Sequence, residues 1–243
     1  MVRQTFIIAL GDITVKYDAA ILGLLLLASC GAKQEASKQP EPATPSAPQE
    51  KSAPARVDPR PVLVAFGDSL TAGFGVEPGL SYPDYLQKEI EKQGLHWRVV
   101  NAGVSGDTTT DGLNRVGEVL TYKPAVVILE FGGNDGLRGL PLDTTRSNLD
   151  QMIAGLRDGG AKVVLAGMTL PPNYGPEYIR PFEKIYVDLA AKYKIPRIRF
   201  LLEGVGGNAA LMQRDGLHAT AEGNSIVAKN VFKTVEPVLR ATR

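Results

Sequence analysis

The chain has 243 residues, with 27 Lys and Arg against 26 Asp and Glu, a formal net charge of +1, 44% apolar residues and a single cysteine. No basic run or stripe stands out, and so balanced a charge gives no electrostatic reason to bind a polyanion; nucleic acid is not expected as a partner. A lone cysteine cannot close an internal disulfide, no Cys/His cluster is present to hold zinc, and neither a metal nor a cofactor is expected.

At the amino end, the nine-residue apolar run Ala19 to Leu27 (AAILGLLLL) follows Lys16. A bilayer takes roughly 20 apolar residues, so this run reads as the apolar region of an export signal. Asp12 and Asp18 are foreign to the basic start of such a signal, which puts the expected translation start near residue 15, at Val15. Leu27-Ala28-Ser29-Cys30, with Gly31 after it, resembles the bacterial lipobox. That resemblance implies a signal over residues 1–30, lipidation of Cys30, and attachment to the cell envelope at the periplasmic face of the outer membrane. A soluble periplasmic protein is the alternative. Residues 31–60 shift to Pro, Ala, Ser, Glu, Gln and Lys, with too few apolar side chains to bury a core, and read as a disordered linker. In polyproline geometry, at about 3.1 Å per residue, it would reach up to about 90 Å from an anchored Cys30. One folded domain is left, residues 61–243.

Within that domain, apolar runs at Val62 to Phe66, Trp97 to Asn101, Ala125 to Phe131, Lys162 to Met168 and Ile195 to Phe200 read as buried strands separated by segments long enough for crossover helices. The helix after the first strand is framed by Ser81 as N-cap, Pro83, Asp84 in its first turn and Gly94 as a stop. Ile185, Leu189 and Tyr193 recur at helical spacing in a later helix, and Ile226, Asn230 and Phe232 to Val235 mark the last one. An alternating series whose strands are continuous apolar runs predicts an α/β protein, a three-layer α/β/α sandwich on a five-stranded parallel sheet. The flavodoxin-like order 2-1-3-4-5 is expected.

Ligands of open α/β sheets sit at the carboxyl ends of the strands, so the residues there carry the chemical reading. The first strand ends in Gly67-Asp68-Ser69, which delivers a hydroxyl to that edge, although Gly-Asp-Ser is also an ordinary capped turn. After the second strand comes a turn containing Gly106, and after the third Gly132-Gly133-Asn134-Asp135-Gly136. A backbone N–H at Gly106 and a side-chain amide at Asn134 suit a developing negative oxygen. The Lys-containing phosphate loop and a strand-linked G-x-G-x-x-G are both missing. Of the two histidines, His96 beside Trp97 reads as structural, whereas His218 follows Asp215 by three residues. A carboxylate on one imidazole nitrogen fixes the tautomer that lets the other take a serine proton. Alone, the same Asp215 would serve as a cap for the helix that begins near Ala219.

Together, Gly67-Asp68-Ser69-Leu70, Gly106 within Ser-Gly-Asp-Thr, Gly133-Asn134-Asp135 and Asp215-x-x-His218 stand in the order and contexts of the SGNH (GDSL-type) hydrolase family, which the domain resembles throughout. Gly132 to Gly139 (GGNDGLRG) and Leu170 to Gly175 (LPPNYG) are similar to its bacterial acyl-CoA thioesterase I, lysophospholipase L1 and arylesterase branch. The resemblance implies Ser69 as nucleophile, His218 as base and Asp215 as its orienting partner. It implies an oxyanion hole made by the Ser69 and Gly106 N–H groups and the Asn134 amide. It also implies an acyl groove lined by Asp135, Leu137, Leu140, Leu170 and Pro171. The expected activity is hydrolysis of carboxylic esters and thioesters, such as aryl esters, acyl-CoA thioesters or lysophospholipids, through an acyl-enzyme. Two other readings stay open: a carbohydrate O-acetylesterase of the same fold, and a tethered module that holds acyl chains or glycans without turnover.

Overall fold

The computed structural model describes residues 58–242. The export signal, Cys30 and the linker up to residue 57 lie outside the described residues. In chain order the elements are β1 (Val62–Gly67), α1 (Ser69–Ala72), α2 (Tyr82–Lys92), β2 (Arg98–Gly103), α3 (Thr109–Asn114), α4 (Val116–Thr121), β3 (Val126–Glu130), α5 (Gly133–Leu137), α6 (Leu142–Asp158), β4 (Lys162–Ala166), a 3₁₀ turn (Pro172–Tyr174), α7 (Pro176–Tyr193), β5 (Arg197–Ile198) and α8 (Ala221–Arg240). The strands form one parallel sheet in the expected order, β2-β1-β3-β4-β5.

A parallel sheet needs helices on both faces, and its inner strands are therefore apolar without alternation. Every residue of β1 and β3 is buried. The helices fall into two packed groups, α2 with α8 and α6 with α3, α4 and α7. The framing of α2 is as read: the Asp84 carboxylate accepts from the Ser81 N–H (3.0 Å) and hydroxyl, and Gly94 leaves the helix at a left-handed φ of +68°. Ile185 and Leu189 of α7 and Val231, Phe232 and Val235 of α8 are buried in the core.

The fifth strand is much shorter than the run Ile195 to Phe200 suggested. It lies on the edge of the sheet, and Pro196 has no N–H to offer a ladder. Beyond Ile198 the chain closes a turn, with the Glu203 N–H donating to the Phe200 carbonyl at 3.2 Å. The carboxyl edge of the sheet is the unusual part of the core. There Asp68, Thr71, Thr109, Glu130, Asp135 and Thr145 are all buried. Buried carboxyls are costly unless hydrogen-bonded, so this polar cluster marks where the fold holds something in place.

Candidate active site

β1 enters the site between β2 and β3 and turns at Gly67. A Cβ on Gly67 would collide with the side chains of both Glu130 and Thr71, so only glycine lets the strand end this close to its neighbour. Asp68 then caps α1, its carboxylate accepting the Leu70 N–H at 3.0 Å, and Ser69 opens that single helical turn.

The other half of the site arrives 149 residues later. Asp215 Oδ1 accepts the backbone N–H groups of Leu217 (2.9 Å) and His218 (3.1 Å), which fixes the turn. Its Oδ2 lies 2.7 Å from His218 Nδ1, and His218 Nε2 lies 2.8 Å from Ser69 Oγ. A carboxylate can only accept, so Nδ1 carries the ring proton and Nε2 is left to take one from serine. The helix-cap reading of Asp215 does not hold, because Thr220 caps α8 by accepting the Gly223 N–H at 3.2 Å. Partial burial works to raise the Asp215 carboxyl, but hydrogen bonds from the His218 ring and from the Leu217 and His218 N–H groups outweigh it and hold the carboxyl at about 2. It stays ionised wherever the imidazole needs a partner.

Two of the expected oxyanion donors are backbone groups. The N–H groups of Ser69 and Gly106 donate to no group among the described residues, and Gly106 is exposed. The Asn134 amide has both of its hydrogens engaged and ties the Asp68 turn to the Asp107 turn: it donates to the Asp107 carbonyl at 2.9 Å and to Asp68 Oδ2 at 3.2 Å. Arg138 pins the outer side of this loop pair, donating to the Gly106 carbonyl at 3.0 Å. Arg115 pins the inner side through its ion pair with Asp107 (2.7 Å) and its donation to the Gly67 carbonyl (3.3 Å).

The expected groove residues divide. Leu137, Leu140 and Pro171 are half-buried around the loop that follows Asn134. Tyrosines from the opposite segment hold that loop, Tyr174 donating to the Leu137 carbonyl (2.8 Å) and Tyr178 to the Gly136 carbonyl (3.4 Å). Leu170 is buried beneath the loop against Gly136 and props it from below rather than lining a groove. Asp135 points into the core, contrary to the expectation that it meets substrate. Its carboxylate accepts from the Thr109 N–H (2.8 Å), the Thr109 hydroxyl and the Thr145 hydroxyl (3.2 Å), tying α3 to α6. His96, read as structural, is exposed before β2 at the opposite end of the sheet.

Three residues were not singled out from sequence. The Phe74 ring, half exposed, lies 4.6 Å from the His218 ring and covers one face of the imidazole. Arg115 is the inner clamp just described. Glu130 is buried directly behind the nucleophile turn, and its signal was readable as a lone carboxylate closing an otherwise apolar strand, VVILE. A cavity of about 460 Å³ lies elsewhere, at the amino ends of β4 and β5 between Arg157, Lys162 and Lys194. Its lining has no serine, cysteine, histidine or carboxylate, and Lys162 and Arg157 donate to the Ala241 and Tyr193 carbonyls at the ends of α8 and α7, where cations complement helix C-termini.

Comparison with known proteins places residues 65–226 in a match to the GDSL-like lipase/acylhydrolase family. The chain is 43% identical over 178 residues to the esterase TesA of Pseudomonas aeruginosa, covering 73% of this chain and 89% of that protein. It is 34% identical over 178 residues to the thioesterase 1/protease 1/lysophospholipase L1 of Escherichia coli strain K12, covering 73% of this chain and 84% of that protein. Among solved structures, that of TesA superimposes with a TM-score of 0.71 at 43% identity, over 73% of this chain and 99% of the other.

Proposed function

The chain belongs to the GDSL-like lipase/acylhydrolase family and hydrolyses ester bonds, and from that premise we propose that it does so through an acyl-enzyme on Ser69. The observation that carries the proposal is the unbroken line from Asp215 through His218 to Ser69 Oγ, at 2.7 and 2.8 Å, beside two unspent backbone N–H groups. His218 Nε2 takes the Ser69 proton as Oγ attacks the ester carbonyl carbon, and Asp215 stabilises the imidazolium that forms. The carbonyl oxygen, now negative, lies against the Ser69 and Gly106 N–H groups. Asn134 joins them as third donor by exchanging its longer bond, to Asp68, for the oxyanion. His218 returns its proton to the leaving alcohol or thiol. A water then attacks the acyl-serine, with His218 again as base, and the acid departs.

The substrates are small-molecule carboxylic esters or thioesters. Their acyl chains run along Leu137, Leu140 and Pro171, a reading supported by the half-buried apolar surface on that loop. Each methylene covered there stabilises by about 0.8 kcal/mol, so two added carbons raise kcat/KM by about tenfold until the surface ends. Medium-chain esters are therefore preferred over acetyl esters. A panel of p-nitrophenyl esters of increasing chain length, acyl-CoAs, lysophospholipids and acetylated glycans tests this, with Ser69→Ala as control. An enzyme fastest on acetylated glycans would instead be an O-acetylesterase, and a folded chain that turns over nothing would be a holding module.

The location proposed is the cell envelope, by a lipid on Cys30, at the periplasmic face of the outer membrane. It is supported by the apolar run ending in Leu-Ala-Ser-Cys-Gly. Stable anchoring takes about two acyl signals, so the mature protein stays with membranes through a salt wash and Cys30→Ala moves it to the soluble fraction. Identical fractionation of the two would overturn the tether.

A further inference from the structure

Behind the nucleophile lies a carboxyl group that the hydrolytic cycle leaves unused. Glu130 ends β3 with its side chain fully buried. Oε2 accepts the Asp68 N–H at 3.1 Å and the Thr71 hydroxyl at 2.8 Å, while Oε1 is buried without a partner. The Asp68 carboxyl is buried as well, on the very residue whose N–H Glu130 accepts. Its two oxygens accept the Leu70 N–H and the Asn134 amide.

The groups facing this pair offer little neutralisation. From α2 comes the Tyr82 hydroxyl, 3.3 Å from that of Thr71, and from α7 the Tyr186 hydroxyl, which donates to the Phe131 carbonyl at 2.9 Å. From α5 comes Asp135, already held by threonines. His218 faces Asp68 from the far side of Ser69. Arg115, the cation next to the strand end, is paired with Asp107, and no cationic side chain contacts either carboxyl among the described residues. Two adjacent carboxyls in so dry a place cannot both ionise.

We propose that Glu130 is kept as a neutral acid beside Asp68, Oε1 being the oxygen free to carry the proton, which makes Glu130 a positioning residue for the nucleophile turn and the oxyanion donors. The proton limits the pair to one negative charge behind the place where the substrate oxygen becomes negative. A second buried charge there would oppose the transition state. It also leaves Asp68 ionised, so that it goes on accepting from Leu70, which shapes the turn carrying Ser69, and, until the oxyanion forms, from Asn134. Burial acts on both groups in the direction this requires, pushing Glu130 well above the ordinary carboxyl range and Asp68 to about 6.

The test reads the proton itself. Infrared spectra of the wild type at pH about 8, where exposed carboxyls are ionised, should contain the carbonyl stretch of a protonated carboxyl that shifts in D₂O and is missing from Glu130→Gln. This readout is independent of turnover, so it stands or falls apart from the hydrolytic reading of Ser69. In a second arm, Glu130→Gln keeps an acceptor for the Asp68 N–H and Thr71 and stays neutral, and should hydrolyse p-nitrophenyl esters close to the wild-type rate. Glu130→Ala, folded, should lose about 10- to 100-fold in kcat with KM little changed, as expected of misplaced reacting groups. A wild-type spectrum without the band overturns the proposal, and so does a folded Glu130→Gln as slow as Glu130→Ala. If a variant fails to fold, the isotope-shifted band of the wild type decides alone.

Discussion

Asp215 and Asp68 flank the same serine, and their surroundings tune them in opposite directions. Asp215 sits at the exposed rim, in a turn closed by the Leu217 and His218 N–H groups that its carboxylate accepts, and is held at about 2. Asp68 sits in the dry floor of the site and is pushed up to about 6 by burial. The rim is assembled locally, by a carboxylate and an imidazole three residues apart. The floor is assembled from strand ends brought together by the sheet, with Asp68 from the end of β1, Glu130 from the end of β3 and Asp135 from α5 just beyond it. Proton transfer belongs to the rim, where water and substrate enter. Orientation belongs to the floor, where buried hydrogen bonds are strong and movement is small.

That division can be broken most easily at the rim. Ser69→Ala or His218→Ala should lower kcat by about 10⁴- to 10⁶-fold, since triad members act as a unit, while thermal unfolding stays near that of the wild type. Substantial residual turnover in either would remove the rim from the chemistry. Asn134→Ala joins floor to rim and should cost about 10²- to 10³-fold in kcat, as for a single oxyanion donor; a change confined to KM would count against it.

At Asp135, the part of the floor that faces away from the serine turn, the response is expected in stability rather than rate. Asp135→Ala strands the Thr109 N–H and hydroxyl and the Thr145 hydroxyl, and should lower urea stability by about 3 kcal/mol with near-normal kinetics in the folded fraction. A raised KM with unchanged stability would return Asp135 to the substrate groove.

The smallest effect is a contrast in pH dependence. Asp215 is lower in the folded than in the unfolded chain, so its stabilising share is present above its ordinary value of 3.8 and is lost as pH falls toward 2. Asp68 is higher when folded, so its share runs the other way: stability declines as pH rises from 3.8 to about 6. Relative to Asp68→Asn, wild-type stability should therefore fall by about 1 kcal/mol per pH unit across that window. Parallel stability curves would show that the floor does not strain Asp68.

Much of the rim was legible because its chemistry is carried by short motifs at strand ends. Ser69, Gly106 and Asn134 stand in turns that the apolar runs located, Asp215 and His218 show themselves by their three-residue spacing, the resemblance to the SGNH hydrolase family joined their roles, and the sheet order is the flavodoxin-like one expected of such a series. The floor was harder to read. Asp135 follows Asn134 directly, but successive residues on a helical turn face different ways, and only packing decides which one meets the core. Leu170 was apolar enough for a groove and equally apt as its support. Glu130 was visible as a charge ending a buried strand, yet its partners lie 59 and 62 residues away and are set by the pairing of β1 with β3. The length of β5 depended on edge position, a property of the sheet rather than of its own residues.

The central claim, that ester cleavage passes through Ser69, is tested most directly by trapping the intermediate. Rapid acid quench after mixing with a p-nitrophenyl ester, followed by peptide mass analysis, should find one acyl group on the peptide containing Ser69, formed with a burst of p-nitrophenol equal to the enzyme present. Ser69→Ala should show neither the adduct nor the burst. An acyl group on another residue, or a burst that survives in Ser69→Ala, would contradict the account.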